Sequence, residues 1–220
     1  MKSLLLTFIF AVNFSSVCGQ TDRFNLSVEY SPNFSSITQE YIHFHTGHAE
    51  GFRFANNLFA KGEYLLIPDL YVTASIGMLQ TSELVTLDEN RFHEIANKEI
   101  DKLELDYTHY YLVTPVGVTY YFRSFYISPE IGIGWNIHNR LKYDFYYTDG
   151  SGSEFSEDLD RKRDNEVTYP LFLSIGHEIS MKTYSILIGL KGYYSLNPQV
   201  ENYYEKWHYY GFGAVTGLRF

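Results

Sequence analysis

From Phe125 to His138 hydrophobic and polar positions alternate: Phe125, Ile127, Pro129, Ile131, Ile133, Trp135 and Ile137 share one face of an extended chain, and Tyr126, Ser128, Glu130, Gly132, Gly134, Asn136 and His138 the other. A period of two marks a strand with two unlike faces. The C-terminal segment repeats it, with Tyr210, Phe212, Ala214, Thr216, Leu218 and Phe220 against Gly211, Gly213, Val215, Gly217 and Arg219. So do Phe24 to Tyr30, Leu70 to Gly77 and Tyr184 to Lys191; weaker versions run through Phe52 and Phe54, Val116 to Phe122, and Tyr169 to Ile175. The pattern predicts eight strands, at 23–35, 50–60, 63–81, 104–122, 125–139, 167–180, 184–196 and 207–220.

Short and long connections alternate between these strands. Lys61-Gly62, Arg123-Ser124 and Met181-Lys182-Thr183 read as tight turns, and 36–49, 82–103, 140–166 and 197–206 as long polar loops. In an up-and-down barrel all tight turns then lie at one end and all long loops at the other, the asymmetry of outer-membrane barrels. The expected fold is all-β: an eight-stranded antiparallel up-and-down transmembrane β-barrel, with both termini on the turn side.

The polar face separates this barrel from a soluble lipocalin-like calyx, whose apolar side chains point inward. Nine glycines lie on the polar face (Gly77, Gly117, Gly132, Gly134, Gly176, Gly189, Gly211, Gly213 and Gly217), and they leave room for Glu29, Arg53, Asp69, Glu130, Glu178, Lys191 and Arg219. These seven form the expected lumen charge network, four acids and three bases that nearly cancel, as enclosed charges must. In the clearest strands the central part of the other face carries no charged residue, where each would cost about 2–4 kcal/mol at a bilayer midplane. Four prolines, Pro68, Pro115, Pro129 and Pro170, fit poorly, because each removes a ladder donor from a wall without an edge.

Composition narrows the class. The chain has 220 residues, 45% of them hydrophobic, with 21 Tyr, 17 Phe and a single Cys, so neither disorder nor a disulfide scaffold fits. A net charge of −9 argues against nucleic acid as a partner. Residues 1–19, with Lys2, an apolar run from Leu4 to Phe14 and the small-residue ending Ser15-Ser16-Val17-Cys18-Gly19, have the layout of a secretory signal peptide. That run is shorter than the ~20 residues of a spanning helix. Cleavage after Gly19 leaves 20–220 as the barrel domain and removes the cysteine; a lipid anchor on Cys18 competes, although Val17 suits it poorly.

The segments Phe24-Asn25-Leu26 with Ser31-Pro32-Asn33-Phe34-Ser35, Ile67-Pro68-Asp69-Leu70-Tyr71, Tyr111-Leu112-Val113-Thr114-Pro115, Ser128-Pro129-Glu130-Ile131-Gly132-Ile133-Gly134 and Gly217-Leu218-Arg219-Phe220 resemble the small outer-membrane β-barrel (porin-like) proteins of Bacteroidetes-type bacteria. The resemblance implies that such prolines are tolerated, and that the terminal Phe220 is the assembly signal read by the barrel-assembly machinery.

Candidate chemistry is sparse. His43 and His45 share a face if 41–46 is extended, and with His48 form a candidate metal site, against the plainer reading of a polar loop. Glu29, Glu130 and Glu178 with Arg53, Lys191 and Arg219 either line an ion path or plug the barrel with salt bridges; eight strands leave no open bore. Thr86-Leu87-Asp88-Glu89 with Ile95, Ile100 and Leu103 suits a short surface helix or a solvated loop, and 149–166 a mobile hydrophilic tip. Glu157, Asp158 and Asp160 match no dedicated calcium loop. Ser195 and His208 stand at heights that suit a lipid-modifying enzyme, without a spacing that joins them to an acid. The expectation is a non-enzymatic barrel of the cell outer membrane without cofactor or bound metal. It has a closed polar lumen and a structural or adhesive role, with outer-membrane lipids and lipopolysaccharide as partners and an extracellular ligand unspecified. A narrow solute pore, a lipid A-modifying enzyme and a soluble calyx are the alternatives.

Overall fold

The computed structural model describes residues 23–41, 48–88, 100–158, 167–198, 200–201 and 205–220. Eleven strands are present among them: β1 (Phe24–Tyr41), β2 (His48–Ile67), β3 (Leu70–Asp88), β4 (Ile100–Phe122), β5 (Phe125–Tyr147), β6 (Gly152–Asp158), β7 (Val167–Thr168), β8 (Pro170–Ser180), β9 (Ser185–Ser195), β10 (Val200–Glu201) and β11 (Glu205–Arg219). Eight of them, in the order β1-β2-β3-β4-β5-β8-β9-β11, pair antiparallel with their neighbours, and β11 pairs back onto β1, so the ring closes. Leu26 and Phe220 exchange backbone hydrogen bonds of 3.2 and 2.7 Å at the seam.

The expected turns at Arg123-Ser124 and 181–183 are present; the one at Lys61-Gly62 is not. β2 runs straight through Lys61 and Gly62, and the chain reverses at Pro68-Asp69, where Asp69 takes a left-handed φ of 69°. Proline presets the turn and aspartate tolerates the left-handed conformation. The alternation of faces is continuous from Leu58 to Tyr64, which a turn at Lys61-Gly62 would have interrupted.

Much of the expected long-loop sequence is also strand. β4 and β5 have 23 residues each, far more than the ~10 that cross a bilayer. Ile100 and Leu103 lie buried in β4 rather than on a surface helix, and 152–158, expected as part of a mobile tip, forms β6 against β5. The wall therefore continues past the level of the barrel's apolar exterior.

That exterior is sharply bounded. On β5 the outward residues Phe125, Ile127, Ile131, Ile133, Trp135 and Ile137 are all exposed. The strand climbs about 40 Å between Phe125 and Ile137 at ~3.4 Å per residue, or about 30 Å along the axis at a usual tilt of ~40°, which matches a hydrocarbon core. Next come His138, Arg140, Lys142 and Asp144. On β4 the change falls below Tyr110, with Asp106, Glu104 and Lys102 beyond it. A bulge marks the boundary: Tyr110 pairs with His138 and Tyr111 with Asn136, which leaves Ile137 as the extra residue. The bulge turns His138 outward, not onto the polar face as its parity predicted.

The in-strand prolines are absorbed without a change of register. The β3–β4 ladder omits the pairs at Thr114 and Pro115, the β4–β5 ladder those at Ser128 and Pro129, and the β5 pairing to β7 and β8 those at Tyr169 and Pro170, with the same register on both sides of each gap. Each proline meets its other neighbour, where no donor is lost. Pro68 lies in a turn.

Candidate functional site

The inward face fills the barrel in layers. Near the turn end Arg219 lies between two carboxylates: its Nε is 2.8 Å from Glu63 Oε2, and its Nη1 donates to Glu178 Oε1 and Oε2 at 2.9 and 3.0 Å. Tyr121 donates to Glu63, and the rings of Tyr121 and Tyr71 lie 4.6 and 5.0 Å from the guanidinium carbon. One layer deeper, Lys61 Nζ donates to Glu130 Oε1 at 2.8 Å and to Ser128 Oγ at 2.9 Å, with Glu29 and Glu63 oxygens at 3.7 and 3.8 Å. Lys191 Nζ donates to Glu29 Oε2 at 2.9 Å and lies 4.1 Å from the Phe59 ring centroid. Beyond it Phe59, Leu79, Tyr111, Val113, Phe172, Tyr193 and Tyr209 form one buried cluster across the lumen.

Five of the seven expected network residues meet here: Glu29, Glu130, Glu178, Lys191 and Arg219. Asp69 does not; it is exposed in the β2–β3 turn. Nor does Arg53, which lies 3.4 Å from Asp106 in the wall beyond the apolar belt. Arg53 keeps the phase of Ala55 and Phe59 in its pairing with β1, but β2 shifts register against β3 between Ala49 and Leu58, and the Arg53 side chain meets Asp106 instead of the buried network. Lys61 and Glu63 take their places, so four carboxylates still face three cations. Sequence reading missed both, because a Lys-Gly pair was taken as a turn; the unbroken phase of Phe59, Lys61 and Glu63 was the available signal. It also underestimated the apolar share of the inward face.

Glycine makes the packing room. A Cβ on Gly117 would stand 2.7 Å from Glu130 Cα and 2.9 Å from its Cγ, so Gly117 lets the Glu130 carboxylate reach Lys61. Nearer the outer end His109, also missed, bridges Asn139 Oδ1 (2.9 Å) and the Tyr209 hydroxyl (2.7 Å) with its two ring nitrogens.

Ser195 and His208 are close without forming a nucleophile and base. The Ser195 hydroxyl accepts from Tyr209 N–H at 2.8 Å, and His208 Nδ1 meets the Ser195 backbone carbonyl at 3.0 Å, not its hydroxyl. His43 and His45 lie outside the described residues, as does the expected signal peptide at 1–19; His48 begins β2.

Beyond the belt the wall carries paired charges. Lys102 lies 2.7 Å from Glu104, and Lys142 bridges Asp144 and Glu154 at 3.1 and 3.3 Å. The Lys102 hydrogen bond is the main cause that holds the Glu104 carboxyl below its ordinary range; desolvation by burial pushes Asp106 up, more than Arg53 draws it down. The signs oppose. Glu104 contributes stability above the usual carboxylate range that is lost as pH falls through its lowered pKa, whereas Asp106 contributes most when protonated and loses that as pH rises. Side-chain carboxyl NMR titration in micelles is expected to find Glu104 below its ordinary value and Asp106 above it, with Lys102→Met returning Glu104 toward normal.

No protein-family model matches the chain, and no curated protein matches it in sequence. Among solved structures it is similar to Ail, the attachment invasion locus protein of Yersinia pestis, at 14% identity over 90% of this chain and 98% of that one, TM-score 0.41. It is similar to the outer membrane protease OmpT of Escherichia coli at 8% identity over 90% and 96%, TM-score 0.46, and to the outer membrane protein OprG of Pseudomonas aeruginosa at 9% identity over 90% and 96%, TM-score 0.36. This chain's own wall, a closed ring of eight strands, apolar outside and charged within, is that of an outer-membrane β-barrel.

Proposed function

We propose that the protein is a non-enzymatic outer-membrane barrel with a closed lumen and a structural or adhesive role, its extended outer wall being the surface offered to the environment. The reading adopts the resemblance to the small porin-like barrels of Bacteroidetes-type bacteria, with export by residues 1–19 and recognition of Phe220 by the barrel-assembly machinery. Lipids and lipopolysaccharide surround the belt. One observation carries it: the lumen is crossed by ion pairs and then by a buried aromatic cluster, while the wall continues beyond the apolar belt. Material spent on a plug and on a protruding wall suits contact rather than transport. The bonding of Ser195 and His208 to backbone groups supports the absence of catalysis.

Two measurements test this. Reconstituted in planar bilayers, the protein is expected to give no discrete conductance steps; regular steps would overturn the closed lumen in favour of a pore. Cells that express it are expected to attach to protein-coated surfaces more than cells that lack it, with their lipid A unchanged by mass spectrometry. Modified lipid A would overturn the non-enzymatic reading.

A further inference from the structure

β6 leaves the wall with an open edge. Among the described residues it pairs only with β5, no described strand pairs with its other side, and all seven of its residues are exposed. The turn fixes its hydrogen-bonding phase: Tyr147 N–H donates to Ser151 O at 2.9 Å, which makes these two a hydrogen-bonded pair. Antiparallel ladders alternate such pairs with unbonded ones. With Asp144 opposite Glu154 and Lys142 opposite Ser156, the N–H and C=O groups of Glu154 and Ser156 point away from β5. A row of this kind is a template for an added strand.

The side chains select what adds. The strand reads Gly-Ser-Glu-Phe-Ser-Glu-Asp, three acids and no base, so two copies of the edge repel each other. β5 displays the complementary pattern: Lys142 reaches Glu154 at 3.3 Å, and His138 reaches Asp158 at 3.4 Å. Even so paired, the Glu154 and Asp158 side chains are 64% and 76% exposed, and Phe155 stands exposed on the opposite face.

We propose that β6 is a docking edge for an extended basic segment of a partner protein, which adds a strand with Lys or Arg beside Glu154 and Asp158 and an apolar residue beside Phe155. This rests on the reading of the outer wall as a contact surface. The test uses the full barrel in detergent micelles and a short fluorescent peptide that alternates lysine with valine, with a glutamate–valine peptide as counterpart. Fluorescence anisotropy is expected to show salt-sensitive binding of the lysine peptide and none of the glutamate peptide. Ser156→Pro removes an N–H that β5 does not use, which an edge strand tolerates, and is expected to weaken binding about tenfold or more. Combined Glu154→Lys, Glu157→Lys and Asp158→Lys is expected to transfer binding to the glutamate peptide, and this arm decides if the proline variant does not fold. Absence of binding, equal binding of both peptides, or a Ser156→Pro barrel that binds as before would each overturn the proposal. If expressing cells still attach to surfaces while the peptide fails, only the edge is wrong; if they do not attach either, the adhesive reading falls with it.

Discussion

Replacing Lys61 by methionine is expected to cost about 3–5 kcal/mol of folding stability, the penalty for leaving a buried charge without its partner. Lys61 is 3% exposed, and three carboxylates lie within 4 Å of its ammonium group. Two have other cations: Glu29 keeps Lys191, and Glu63 keeps Arg219. Glu130, 2% exposed, keeps only the Ser128 hydroxyl. The loss therefore concentrates on one residue, and Lys61→Met with Glu130→Gln is expected to recover much of it, since the pair act as a unit. The measurement is the denaturant midpoint at which the fast-migrating folded band gives way to the slow unfolded one in unboiled detergent gels. A single variant within about 1 kcal/mol of wild type would mean that water already solvates these groups, and the closed lumen would have to be abandoned.

A second large effect concerns the opposite face. Ile131→Arg places a guanidinium halfway along the apolar rise of β5, at a residue 48% exposed, and is expected to cost about 2–4 kcal/mol in lipid. Ile137→Arg, on the same face of the same strand beside His138, is expected to cost about 0–1 kcal/mol. This depth dependence separates lipid from water as the medium. Were water rather than lipid around this same wall, both outward substitutions would fall on a wet surface and cost little. Refolding equilibria of both variants in lipid vesicles supply the numbers, and equal costs at the two positions would place the boundary of the belt elsewhere.

The faces of the strands were legible because side-chain direction alternates with every residue, whatever the strand pairs with. Phe125 to Ile137 outward and Ser27 and Glu29 inward needed no knowledge of neighbours. Ends were less legible. Lys61-Gly62 has the composition of a turn, yet Pro68-Asp69 makes it, because only there do backbone angles and ring geometry agree. The polar segments past the belt read as loops since hydrophobic alternation fades where both faces meet water or charge; backbone pairing continues all the same.

The sequence by itself determined a wall: strands of period two, a lipid-side face without charge, and an inward face of glycines and ionisable groups whose signs nearly balance. Only the tertiary structure decided which charges meet. Lys191 and Glu29 lie 162 residues apart, Lys61 and Glu130 69 apart, and each contact depends on the registers of every strand around the ring. Those registers are set by turns, by the bulge at Ile137 and by the irregular stretch after Gly51. Alternation is a local property of the chain, while closure sums small offsets over eight strands, so the displaced turn removed Asp69 and admitted Lys61 and Glu63, the register shift of β2 against β3 sent Arg53 to Asp106, and the charge balance stayed unchanged.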